Sequence, residues 1–154
     1  MKSAVFPGSF DPITIGHVDL VNRAIDLFDK IIIAIGANSS KQFLFSAEQR
    51  RAMISEIFKD EPKVEVAIYE GLTVDFCLRK EAWYILRGLR SAADFEYENT
   101  IARLNHSLND KVETVFMSSQ PQYVHISSTI VREIHLNKGD VSKFVHPAVL
   151  NYFK

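Results

Sequence analysis

The sequence predicts an α/β domain: an open, parallel sheet of about five strands with helices on both faces. Two observations carry this. Short apolar runs of strand type alternate along the chain with stretches whose apolar residues recur at helical spacing. One of the runs, KIIIAIGA at Lys30–Ala37, is continuous and β-branched rather than alternating, as expected for a parallel strand covered on both sides. With 154 residues, of which 47% are hydrophobic, the chain has material for one core, and residues 1–154 are read as a single domain. The connections are of ordinary length, without linker, repeat or low-complexity segment.

The first element is the strand Ser3–Phe6, followed by FPGSFDPITIGH at Phe6–His17 and then by Val18, Val21, Ile25 and Phe28 at helical spacing. The stretch is therefore a strand-to-helix turn. Pro7, Gly8 and Pro12 fix or free its backbone, and Gly16 and His17 fall in the first turn of the helix. Lys30–Ala37 is an interior strand, and Asn38–Phe45 is a polar loop carrying Lys41. Ser46 and Gln49 form a capping-box pattern before Met53, Ile54, Ile57 and Phe58, a second helix that Pro62 breaks. Val64–Tyr69 alternates as a strand, and Thr73 can cap a short helix through Arg79.

Trp83–Leu86 is the next strand and runs into Arg87-Gly88-Leu89-Arg90, so two arginines emerge where that strand finishes. Tyr97, Ile101, Leu104 and Leu108 mark a long amphipathic helix, and Glu113–Met117 marks a fifth strand. After Pro121 a serine-rich turn opens a helix that Gly139 stops, and Pro147 stands at the first position of a helical tail. The Met and aromatic residues of the helices read as core. The order is that of a doubly wound, Rossmann-like sheet, in which ligands bind beyond the carboxyl ends of the strands.

Composition excludes several functions. A net charge of −1 provides no basic field for nucleic acid, and the longest apolar run, Ile31–Ile35, is far too short to span a membrane. No apolar signal-peptide core follows MKSAVFPGSF, and Cys77 is the only cysteine, so a cytoplasmic, reducing setting is expected. Neither GxGxxG nor GxxxxGK[ST] occurs.

Four clusters stand at strand ends or helix starts. The turn before the first helix presents backbone amides and a helix N-terminus, an anion site, where Ser9 can bond a phosphate and His17 can meet developing charge; turn geometry and helix entry are the plainer roles. Lys41 by itself is an ordinary loop lysine. Arg87 and Arg90 can each grip a phosphate, or pair with Asp94, Glu96 or Glu98. One hydroxyl among Ser127, Ser128 and Thr129 suffices to cap a helix, and three suggest a phosphate held at its N-terminus. His106, His125, His135 and His146 show no metal-ligand spacing, and Cys77 has no visible activating base.

The order Gly-Ser, aromatic, Asp-Pro, Thr-x-Gly-His resembles the TxGH (HxGH-type) signature of the nucleotidyltransferase superfamily. The longer PGSFDPITIGH, with ILRGLRSAADFEYE, is similar to the bacterial phosphopantetheine adenylyltransferases, a likeness that extends over essentially the whole chain. It implies transfer of the adenylyl group of ATP to 4′-phosphopantetheine, giving dephospho-coenzyme A and pyrophosphate, with magnesium accompanying the nucleotide. Carried onto matching positions, the resemblance implies ATP contacts from Ser9, Phe10, His17, Gly88, Leu89, Arg90, Glu98, Tyr123, Val124, His125, Ile126, Ser127, Ser128 and Thr129. It implies phosphopantetheine contacts from Ser9, Lys41, Thr73 and Arg87, a transition-state role for His17, and a homohexamer. Thr73 and Glu98 enter through the resemblance alone. Related transferases with another nucleotide or acceptor, and a nucleotide-sensing module without turnover, are the alternatives; the ILRGLR segment and His17 respectively argue against them.

Overall fold

A computed structural model describes residues 1–38 and 40–154 of the chain; Ser39, within the polar loop, lies outside the described residues. Five strands, β1 (Ser3–Gly8), β2 (Lys30–Gly36), β3 (Val64–Tyr69), β4 (Tyr84–Leu89) and β5 (Glu113–Ser118), form one sheet in the order β3-β2-β1-β4-β5. All four pairings are parallel. The helices are α1 (Ile15–Ala24), α2 (Ala47–Ile57), α3 (Thr73–Arg79), α4 (Ala92–Leu108) and α5 (Ser128–Leu136), with short 3-10 turns at Pro121–Tyr123 and Pro147–Phe153.

The two-residue period of the strands divides the core. Ala4, Phe6, Ile31, Ile33 and Ile35 face α1, α2, α5 and the C-terminal segment, where Leu20, Met53, Ile54, Val131 and Val149 close a large apolar layer. Val5, Ile32 and Ala34 face the other way, toward Val74, Phe76 and Cys77 of α3. Both faces of β2 are thus dry, which is why its sequence does not alternate.

Several boundaries differ from the sequence expectation. β1 and β4 run on to Gly8 and Leu89, so Arg87 lies within its strand and only Arg90 follows it. Thr73 is the first residue of α3, whose N-cap is Leu72, and its hydroxyl instead bonds the Tyr69 hydroxyl at 2.9 Å. At the end of α5 the left-handed position is Lys138 (φ 61°), one residue before the expected stop; at Gly139 a Cβ would lie 2.6 Å from Ile134 Cγ2, so close packing is what calls for glycine there.

The larger correction concerns α4. The helix forms, capped by Ser91, but buries no residue: Tyr97, Leu104 and Leu108 are 68%, 59% and 59% exposed, and Phe95 is 45% exposed. Its apolar stripe is not core. The helix touches the sheet through Phe95, whose ring meets that of Phe116 on β5 edge-on at 5.7 Å, while Glu98, Ile101, Ala102 and Asn105 line a cavity.

Candidate active site

The site begins where β1 and β4 part. Their pairing is confined to Ala4 with Tyr84 and Val5 with Ile85; beyond it the carboxyl ends diverge, at the position where the strand order reverses. Arg87 spans the opening by donating from Nη1 to the Pro7 carbonyl at 2.5 Å. Its Nε and Nη2 meet the two carboxylate oxygens of Glu98, on α4, at 2.9 and 2.7 Å. Of the two readings left open for Arg87, the ion pair is present, and its fork geometry fixes the guanidinium plane. Arg90 is more loosely paired, with Nε 3.5 Å from Asp94 Oδ2.

The turn after β1 is shaped by close packing. Phe10 is buried with φ at +48°, a conformation that costs a non-glycine residue free energy and persists because its surroundings impose it. Its ring stands edge-on to Phe6 at 5.2 Å and to the His17 ring at 5.1 Å.

Thr14 is the N-cap of α1, and the Thr-x-Gly-His spacing proves to be a capping box. The Thr14 hydroxyl accepts the His17 backbone N–H at 3.4 Å, and the His17 ring, in the place usually held by Glu or Gln, accepts the Thr14 backbone N–H through Nδ1 at 3.0 Å. An Nδ1 that accepts leaves the ring proton on Nε2. Burial, reinforced by the positive charges of Arg87 and then Arg90, lowers His17 from the ordinary 6.5 to about 4. At neutral pH the ring is therefore uncharged, with Nε2–H as a donor.

Two cavities open from this point. The smaller, about 280 Å³, is lined by Ser9, Phe10, His17, Gly88, Arg90, Glu98, Tyr123, Ile126, Ser127 and Ser128 among others. The larger, about 640 Å³, takes in Lys41, Thr73, Arg87 and Glu98, with Ile101 and Asn105 of α4 as its outer wall. Pro7, Gly8, Ser9, Arg87 and Glu98 border both. Four of the candidate residues, Leu89, Val124, His125 and Thr129, lie outside both linings.

The serine turn is partly spent on structure. Ser127 caps α5 by accepting the Ile130 N–H, Ser128 donates to the Pro12 carbonyl at 2.7 Å, and Thr129 Oγ1 accepts from Arg132. Gly88 permits a close approach of β4 to α1, since a Cβ there would lie 2.8 Å from Leu20 Cδ1.

Among the described residues no group of three or more His, Cys, Asp or Glu is arranged to hold a metal. His106 lies 3.4 Å from the Val112 carbonyl, His135 packs on Phe153, and His146 caps the C-terminal turn. Cys77 is buried, and burial pushes its thiol up to about 11, which makes it a poor nucleophile.

Sequence reasoning missed Arg50, Asp11 and Arg132, which hold the turn from behind. A signal for Arg50 was available: with Met53, Ile54 and Ile57 it completes the i, i+3, i+4, i+7 stripe of α2, so an arginine stands on the buried face. Asp11 is inside the turn motif, but its partners, the Leu44 and Phe45 amides at 2.8 and 2.9 Å, are far along the chain.

Comparison with known proteins places nearly the whole chain among relatives. A family model described as cytidylyltransferase-like matches residues 5–134. A phosphopantetheine adenylyltransferase of Flavobacterium psychrophilum is 53% identical over 97% of this chain and 98% of its own length. Those of Flavobacterium johnsoniae and Lachnoclostridium phytofermentans are 52% and 44% identical, each over 97% of this chain and 97% and 92% of their own lengths. Among solved structures, the Plasmodium falciparum nicotinic acid mononucleotide adenylyltransferase complexed with NaAD superposes with a TM-score of 0.69 over 99% of this chain and 96% of its own, at 18% identity, a likeness of fold.

Proposed function

Since the chain belongs to the phosphopantetheine adenylyltransferases, within the cytidylyltransferase-like family, we propose that its two cavities are the two substrate sites of adenylyl transfer, ATP in the smaller and 4′-phosphopantetheine in the larger. The family reaction gives dephospho-coenzyme A and pyrophosphate. The observation that carries the assignment is the shared wall: Ser9 and Arg87 border both spaces, so a phosphate held there from the larger cavity meets a nucleotide in the smaller one.

The chemistry follows from the groups present. The acceptor is a phosphate monoester, already anionic at neutral pH, so its oxygen attacks the α-phosphorus without a protein base, and the bond to pyrophosphate breaks. Arg87 and Lys41 hold the acceptor phosphate. His17 donates from Nε2–H to an α-phosphoryl oxygen as charge builds, and Arg90 and Ser127, at the N-terminus of α5, attract the remaining phosphates. Glu98 aims Arg87 through its two bonds to the guanidinium. Phe10, Gly88, Leu89 and the Tyr123–Thr129 segment supply the rest of the ATP surface.

Magnesium, in this reading, arrives on the triphosphate, as a cation that keeps most of its ligands from phosphate and water. Residues 1–154 act as one nucleotidyltransferase domain. The exposed apolar stripe of α4 supports a homo-oligomer, for which the family implies six copies. A cytoplasmic setting accords with the free Cys77 thiol, and among the described residues no helix is long and apolar enough to cross a membrane.

The deciding assay incubates purified protein with magnesium, ATP or CTP, and a panel of acceptors: phosphopantetheine, nicotinic acid mononucleotide and glycerol phosphate. Pyrophosphate release with ATP and phosphopantetheine, and dephospho-coenzyme A as product, is expected. Turnover only with another acceptor would overturn the substrate assignment.

A further inference from the structure

Arg50 is the largest fully buried side chain of the protein, 2% exposed, and is absent from both cavity linings. A buried guanidinium is costly unless its donors are used. Its Nη1 donates to the Ser9 carbonyl at 2.7 Å, its Nε donates to the Phe45 carbonyl at 3.1 Å, and the plane lies over the Phe43 ring at 4.0 Å. Ser9 belongs to the wall shared by the two cavities, and Phe43 lines the larger one beside Lys41. Asp11, 1% exposed, makes a second tie between the same segments through the Leu44 and Phe45 amides.

The peptide between Ser9 and Phe10 is the point of leverage. In a planar trans peptide the carbonyl and the N–H point in opposite directions, so the bond from Arg50 to the Ser9 oxygen turns the Phe10 N–H away from α2. That N–H has no acceptor among the described residues, and Phe10 lines the smaller cavity. The backbone at Phe10 is in the left-handed region, which a bulky residue leaves unless it is held.

We infer that Arg50 is a positioning residue for adenylyl transfer: it holds the Ser9–Phe10 peptide with its amide toward the nucleotide and ties that peptide to the Phe43–Phe45 segment, of which Phe43 lines the acceptor cavity. The inference rests on the substrate assignment above. A lysine keeps the charge at this position but lacks the fork that reaches two carbonyls and the plane that stacks on Phe43.

The test measures pyrophosphate release for wild type, Arg50→Lys and a control, Met53→Ala, which opens a cavity in the apolar layer beneath the same helix without touching Arg50's bonds to Ser9 and Phe45. Arg50→Lys is expected to lower kcat by about 10–100-fold, the effect of slight misplacement of reacting groups, while KM for either substrate changes less than about threefold. Met53→Ala is expected to lower Tm but to keep kcat within about twofold. Equal kcat losses in the two variants, or a folded Arg50→Lys protein with wild-type kcat, would overturn the inference.

A second measurement uses the wild type and survives misfolding of the variant. The Arg50 Nε–H signal, assigned through bonds in a nitrogen-15 spectrum, is expected to shift when ATP with magnesium is added and again when phosphopantetheine is added alone; a signal unmoved by either ligand refutes the coupling. Wild type that turns over with unaltered Arg50→Lys kinetics sinks this inference only, whereas wild type that forms no dephospho-coenzyme A sinks the substrate assignment and the inference with it.

Discussion

His17 accepts the backbone N–H of Thr14 through Nδ1 at 3.0 Å, so the bond that caps α1 also decides which nitrogen of the ring carries the proton. The helix start and the proposed catalytic donor are one device. Burial and the charges of Arg87 and Arg90 keep the ring neutral, which suits a hydrogen-bond donor and leaves it too weak a base to deprotonate an acceptor at pH 7.

The first prediction is a titration. An NMR titration of His17 should give a midpoint near 4 rather than 6.5. The unfolded chain takes up this proton as pH falls through 6.5 and the folded protein does not until about 4, so His17 makes stability decline across that window and contributes nothing above it. A midpoint between 6 and 7 would show that the ring is not held as described.

Removing the donor should affect the chemical step. His17→Ala is expected to lower kcat by about 10²–10³-fold, as loss of one oxyanion donor does, with ATP affinity altered only a few-fold. Calorimetry with ATP and a pyrophosphate assay separate the two quantities; unchanged turnover would reduce His17 to a capping residue.

The Arg87–Glu98 fork makes a contrasting prediction. Glu98→Gln keeps the size of the side chain but loses the charge that fixes the guanidinium at 2.7 and 2.9 Å, so KM for phosphopantetheine should rise by about tenfold, the order of one charge-assisted bond. Arg87→Lys should do the same or more, because a point charge cannot replace the fork. Initial-rate kinetics at saturating ATP measure both.

The apolar stripe of α4 should be covered in solution. Light scattering is expected to give a mass several times the 17.5 kDa of the chain, and Leu104→Glu should reduce it. A monomer of unaltered wild-type protein at micromolar concentration would leave the stripe without that explanation.

Gly139→Ala tests packing away from the site. Ile134 must move to admit the new Cβ, at a cost of about 1–3 kcal/mol, or a Tm lower by roughly 2–10 °C, with KM and kcat unchanged. Thermal unfolding followed by circular dichroism checks the value.

What the sequence by itself determined is local. The continuous apolar run of β2, the Ser46–Gln49 box and the turn leading to His17 each express the preferences of neighbouring residues, and the chain folds there as those preferences direct. The motif resemblance reached further and named the family. Tertiary structure alone decided which charges meet. Arg87 reaches Pro7 across 80 positions because a parallel sheet brings distant strand ends to one edge, and Arg50 reaches Ser9 across 41 because α2 packs its buried face against the turn after β1. It also decided that Tyr97, Leu104 and Leu108 of α4 stand exposed while Glu98, Ile101 and Asn105 line a cavity: helical periodicity states that one face is apolar, and only packing states what lies against it.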